Sequence, residues 1–131
     1  MKFSEFYLQL GRLIYSIAKA DGKIHPSEMQ RFKEVLRKEL IHLETTHDAY
    51  GTHHAYYAEF ELERLIENQA DKNEAFTSFI LFMEQHPEYF DDTVKNVCLQ
   101  AVKKNATVHE GIVPEESKMI TELKKKFNDL S

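Results

Sequence analysis

Apolar residues recur at spacings of three and four from the start of the chain. Phe3, Phe6, Tyr7, Leu10, Leu13, Ile14 and Ile17 fall on one stripe of a helix that the pattern carries to about Ala20. Gly22 is placed to close it as a left-handed C-cap, because a residue without a Cβ meets no steric penalty there. Pro26 suits the first position of a second helix, where its missing N–H costs no hydrogen bond. The stripe of that helix reads Met29, Phe32, Leu36, Leu40 and Leu43, ending near Thr46. The run from His47 to Ala55 contains Gly51 and three histidines, breaks the period and reads as a connecting loop.

A third helix is predicted over Tyr56 to Gln69, with Leu62, Leu65 and Ile66 inward. A short turn follows, in which Asn73 is the expected N-cap of a strongly apolar helix through Phe76, Phe79, Ile80 and Met83. Pro87 stops it. Asp92 is the expected cap of the next helix, whose Val94, Val97, Cys98, Ala101 and Val102 complete an i, i+3, i+4, i+7, i+8 face. The last helix starts at Pro114 and turns Met119, Ile120, Leu123, Phe127 and Leu130 inward. No useful stretch alternates with period two, so the expected fold is all-α with six or seven helices in a bundle.

Composition narrows the class. The 131 residues form one domain's worth of chain, and 42% hydrophobic with 30% charged residues is the profile of a folded, soluble protein. The net charge of -5 speaks against a nucleic-acid partner, since phosphate binding needs a concentrated basic face, and the one basic run, Lys124 to Lys126, suits the C-terminal end of a helix. A single cysteine, Cys98, excludes an internal disulfide and fits a reducing compartment. Glu5, Gln9 and Arg12 interrupt the first apolar residues, so there is no signal-peptide core, and no window has membrane-spanning length. The expectation is a cytoplasmic protein without membrane insertion.

The chain also echoes itself. Setting Ala20 to Met29, ADGKIHPSEM, beside Val108 to Ser117, VHEGIVPEES, aligns Ile24 with Ile112, Pro26 with Pro114 and Glu28 with Glu116. In each copy an amphipathic helix enters a short Gly-containing loop and leaves it through a Pro-started helix, which predicts two pseudo-repeated helical hairpins. The segment AKADGKIHPSE, Ala18 to Glu28, resembles the signature loop of the TerB-like family, named for tellurite resistance and related to the amino-terminal domain of the DjlA co-chaperones. The resemblance covers most of the chain. It implies an all-helical module of bacterial cytoplasm or membrane-proximal space, linked to metal or stress response, with an acidic loop of the form A-D-G-x-I-x-x-x-E present twice. Ala20, Asp21, Gly22, Ile24 and Glu28 match in the first loop. The second keeps Ile112 and Glu116 but has His109 in place of the aspartate and Glu110 in place of the glycine.

Chemically, Asp21, Glu28, His109, Glu110 and Glu116 form a candidate divalent-metal site, because carboxylates suit hard cations and imidazole suits zinc or nickel. The spacing after Asp21 is not that of an EF-hand. Each residue also has a purely structural use: Asp21 as an Asx-turn acceptor, and Glu28 as the returning half of a capping box with His25. His47, Asp48, His53 and His54 are a second group with ligand chemistry, more simply read as an exposed polar loop, while His42 and His86 read as ordinary surface or boundary residues. The aromatics Phe76, Phe79, Phe82, Tyr89 and Phe90 suggest either a core or a ligand-lined pocket, and Cys98 a buried, inert thiol. No nucleophile elbow, P-loop, dinucleotide fingerprint or zinc-protease helix is present, so an enzyme is not expected. Two functions follow: a non-catalytic module that holds a divalent cation or a basic partner surface, or a structural interaction domain, self-associating or bound to a protein partner, whose acidic loops only cap helices.

Overall fold

The computed structural model describes residues 3–20, 55–106 and 114–130, together with residues 30, 31, 33, 34, 37 and 38. Five α-helices lie among them: α1 (Phe3–Ala18), α2 (Ala55–Glu67), α3 (Lys72–Gln85), α4 (Asp92–Ala106) and α5 (Pro114–Asp129), with a 3₁₀ turn at Pro87–Tyr89. The described residues between 30 and 38 are helical too, and no described residue is in a strand. The all-helical expectation holds for this part of the chain.

α1 occupies the centre. Its contacts reach α2, α3, α4 and α5, and Phe6, Tyr7, Leu10, Leu13, Ile14, Tyr15, Ile17 and Ala18 are all buried. The pattern predicts a one-sided stripe, but neighbours enclose the helix on nearly every side, so the polar residues between the stripe positions must find internal partners. Ser16, fully buried, donates to the Leu13 carbonyl at 2.7 Å. Arg12 donates through Nη1 to the Ser78 hydroxyl of α3 at 2.8 Å, and that hydroxyl donates to Gln9 Oε1 at 3.2 Å. Each fully buried Leu, Ile or Phe contributes about 1.5–3 kcal/mol through removal of apolar surface from water.

Gly11 sets how closely α1 and α2 approach. A Cβ at this position would lie 2.6 Å from the Ala58 carbonyl oxygen and 3.1 Å from the Glu61 Cβ. The obstacle is backbone, which cannot swing aside.

The caps refine two expectations. Asp71, not Asn73, caps α3, its Oδ1 accepting from the N–H groups of Asn73 and Glu74 at 2.7 and 3.0 Å. Asp91, not Asp92, serves α4, accepting from the Val94 N–H at 2.9 Å. Both sites have adjacent residues able to cap, and the chosen carboxylate also meets the positive end of the helix dipole. α2 ends in paired bonds, Gln69 N–H to Ile66 O and Ala70 N–H to Leu65 O, a Schellman closure in which Gln69 takes a left-handed φ of 50°. Pro87 ends α3 as expected, with the His86 N–H still bonded to the Phe82 carbonyl.

The aromatic group is core. Phe79 and Phe90 meet edge to face at 5.8 Å, Phe6 and Phe90 at 5.7 Å, and Phe76, Phe82 and Tyr89 are buried with them. His86 stacks on Tyr89, centroids 5.6 Å apart and planes 17° from parallel, as a boundary residue. Val94, Val97, Cys98, Ala101 and Val102 are all buried, so the face read on α4 is its inner face. No helix is long and apolar enough to cross a membrane among the described residues.

Two substitutions test these contacts by urea unfolding. Gly11→Ala gains about 1 kcal/mol of helix propensity but must push α2 away, at a packing cost of about 1–3 kcal/mol, and is expected to destabilise on balance. Gln69→Gly relieves the left-handed strain, and the urea midpoint should rise by the equivalent of about 0.5–1 kcal/mol; an unchanged or lower midpoint contradicts the closure described.

Candidate functional site

Of the five candidate metal ligands, Asp21, Glu28, His109 and Glu110 lie outside the described residues. Glu116 is in the first turn of α5, and its side chain is outside them as well. Gly22, His25, Pro26, His42, His47, Asp48, His53 and His54 are likewise outside. Among the described residues no group of three His, Cys, Asp or Glu is arranged to hold a metal ion.

The helix directions bear on where the flanking segments start. Lys72, the first residue of α3, donates to the carbonyl of Ala20 just past the end of α1, at 3.1 Å, while Ser78 meets Arg12 and Gln9 farther along and Phe82 packs near the Phe90 that touches Phe6. α3 is therefore antiparallel to α1. α4 leaves from the Phe6 end, since Phe90 lies two residues before it, and its far half stays in the core through Ala101 and Val102. α5 returns: Phe127 near its end is 6.1 Å from Phe90, and Lys126 approaches Glu84 at the end of α3 to 4.0 Å. With about 1.5 Å rise per residue, the start of α5 is about 20 Å from Phe127, and the end of the bundle where α1 stops is the one at Ala20 and Lys72.

That end is tied together by backbone and ammonium groups. The buried Tyr15 hydroxyl donates to the Ala70 carbonyl at 2.6 Å and accepts from Lys19 Nζ at 3.0 Å. Lys19 Nζ also lies 5.5 Å from the Tyr15 ring centroid, within cation–π range. Lys19 and Lys72 thus bring two positive charges to the last turn of α1, where helix carbonyls are otherwise unmatched.

Two buried carboxylates on α2 escaped the apolar pattern. Glu61, with its side chain 5% exposed, accepts from Arg12 Nε and from Arg64 Nε, both at 2.6 Å. Burial alone pushes its carboxyl up, but the hydrogen bonds and charges of Arg64 and Arg12 together outweigh that and hold it below the usual carboxylate range. Glu59, on the other side of the helix, is buried beside Arg37. The available signal was Arg12: a guanidinium inside the apolar run of α1 requires a carboxylate from another helix. Cys98 is fully buried and its thiol is pushed up by desolvation, so it has no reactive thiolate.

Because the folded-state acidity of Glu61 is enhanced, its contribution to stability is present above the unfolded carboxylate range near pH 4.3 and is lost as pH falls through the folded value. Glu61→Gln is expected to lose about 1–3 kcal/mol at pH 7 and to show a shallower acid decline than wild type in urea unfolding from pH 7 to pH 3; parallel pH profiles would contradict the assignment.

No protein-family model, curated protein or solved structure matches this chain.

Proposed function

We propose that this chain is a non-catalytic binding module of the TerB-like kind, in which Asp21, Glu28, His109, Glu110 and Glu116 hold a divalent cation. The reading rests on the resemblance of the first loop and its echo in the second, in a chain of six or seven helices with two related hairpins, and it makes a link to tellurite, metal or stress response. The observation that carries it is the pair of helix boundaries on which the echo falls: α1 stops at Ala18, just before the first loop, and α5 starts at Pro114, the proline of the second. Four carboxylates and an imidazole give mixed oxygen and nitrogen donors, and a cation among them would offset their mutual repulsion.

The end of α1 supplies a competing feature. Lys72 and Lys19 carry two ammonium groups to it, and positive charge there disfavours an added cation. A second reading, an interaction domain whose acidic loops only cap helices, draws on Phe60 and Leu81, which are 65% and 51% exposed on α2 and α3. Exposed large apolar residues are what a partner surface would cover.

Thermal-shift titration with Ca, Mg, Mn, Ni and Zn separates the two. Under the cation reading one of these ions stabilises the wild type, by about 2.7 kcal/mol at a hundredfold excess over its dissociation constant, and the response disappears in Asp21→Ala. No ion-dependent stabilisation in the wild type, or an equal response in the variant, sinks the cation reading. Light scattering that shows self-association indifferent to EDTA would then favour the interaction domain.

A further inference from the structure

The cleft between the helical residues at 33 and 37 and the outer side of α2 contains a buried acid with bonding capacity to spare. It measures about 170 Å³ and is lined by Lys33, Arg37, Glu59, Phe60 and Glu63. The Glu59 side chain is 8% exposed, and its Oε1 is sealed from solvent without accepting an aligned hydrogen bond. Arg37 Nε approaches that oxygen to 2.9 Å, which makes an ion pair, but no N–H is directed along the contact and the Arg37 side chain remains 54% exposed. Lys33 pairs with Glu63 at the same cleft. A buried carboxylate with an incomplete hydrogen-bond set is costly, and a better-directed cationic donor would relieve it.

The lining also states what kind of donor fits. Phe60, 65% exposed, offers an aromatic ring next to two carboxylates, and a planar guanidinium can both stack on a ring and fork two N–H groups onto a carboxylate. The cation already drawn to Glu59 is itself a guanidinium. The chain's net charge of -5 draws a basic partner towards it, while within the cleft Arg37 and Lys33 balance Glu59 and Glu63, so bonding geometry and not excess charge selects the ligand there.

We propose that this cleft receives an arginine side chain from a basic partner protein, with Glu59 and Glu63 bonding its guanidinium, Phe60 stacking on it, and Arg37 acting as an imperfectly seated internal occupant that the incoming arginine displaces. None of these residues belongs to the cation reading, and the proposal stands without it.

The test titrates the full chain with Nα-acetyl-arginine amide, and with the lysine and citrulline analogues, following aromatic and arginine side-chain NMR signals. Saturable shifts at Phe60 and Arg37 are expected with the arginine probe, several-fold weaker ones with lysine and none with the uncharged citrulline. Arg37→Ala should tighten arginine binding several-fold by removing the internal competitor. Phe60→Ala, at an exposed position that leaves the fold intact, should weaken it several-fold, and a folded Glu59→Gln should abolish it. Absence of saturable binding in both the wild type and Arg37→Ala overturns the proposal, as does binding that citrulline matches or that Phe60→Ala leaves unchanged.

Discussion

Enclosure of α1 is the constraint on which the rest of the structure depends. A helix in contact with four others is shielded from water on most of its surface, and an unmatched buried donor or acceptor there forfeits its hydration. Arg12, Gln9 and Ser16 are therefore each satisfied from within, and Arg12 alone joins three helices by reaching Ser78 on α3 and Glu61 on α2. The same enclosure explains Gly11: α2 can seat Ala58 and Glu61 against α1 only where α1 has no Cβ in the way. Close approach and ion pairing are thus one geometric event, since moving α2 outward to admit a side chain would also stretch the contact between Arg12 and Glu61.

α2 carries this logic outward. Glu61 faces the central helix and is held by two guanidinium groups, while Glu59 is buried beside Arg37 and is left with an imperfect partner. The contrast separates a structural charge from one with capacity for a ligand. Two directed hydrogen bonds more than compensate Glu61 for its burial, whereas Glu59 Oε1 has charge compensation from Arg37 without an aligned hydrogen bond. A carboxylate in that second condition gains from a new donor, and an exposed Phe60 beside it defines the shape of the donor that gains most.

The end of the bundle at Ala20 presents a different balance. Tyr15 pins α1 to the turn between α2 and α3 through the Ala70 carbonyl, and Lys72 pins α3 back onto Ala20. These bonds give the segment that starts at Asp21 a rigid point of departure. The lysines there offset the negative end of the α1 dipole.

Helix existence and inner faces were legible in the sequence because both follow from local spacing: the stripes on α4 and α5 predict Val94 to Val102 and Ile120, Leu123 and Phe127 as core, and those residues are buried. Stops at Pro87 and starts at Pro114 were legible for the same reason, since proline acts on its own backbone. Capping by Asp71 and Asp91 in place of their neighbours was not, because adjacent residues with similar chemistry compete and a shift of one or two positions depends on how each helix is seated. For the candidate site, the sequence by itself supplied donor types, an internal echo and a resemblance for Asp21, Glu28, His109, Glu110 and Glu116. Only the tertiary structure decided that α1 is central, that Phe127 of α5 packs near Phe90, and that Glu59 and Glu61 are buried. A helical period reports which side of a helix is apolar, but not how many neighbours surround it; burial of charge is decided by partners distant in the chain, such as Arg12 for Glu61 across 49 positions.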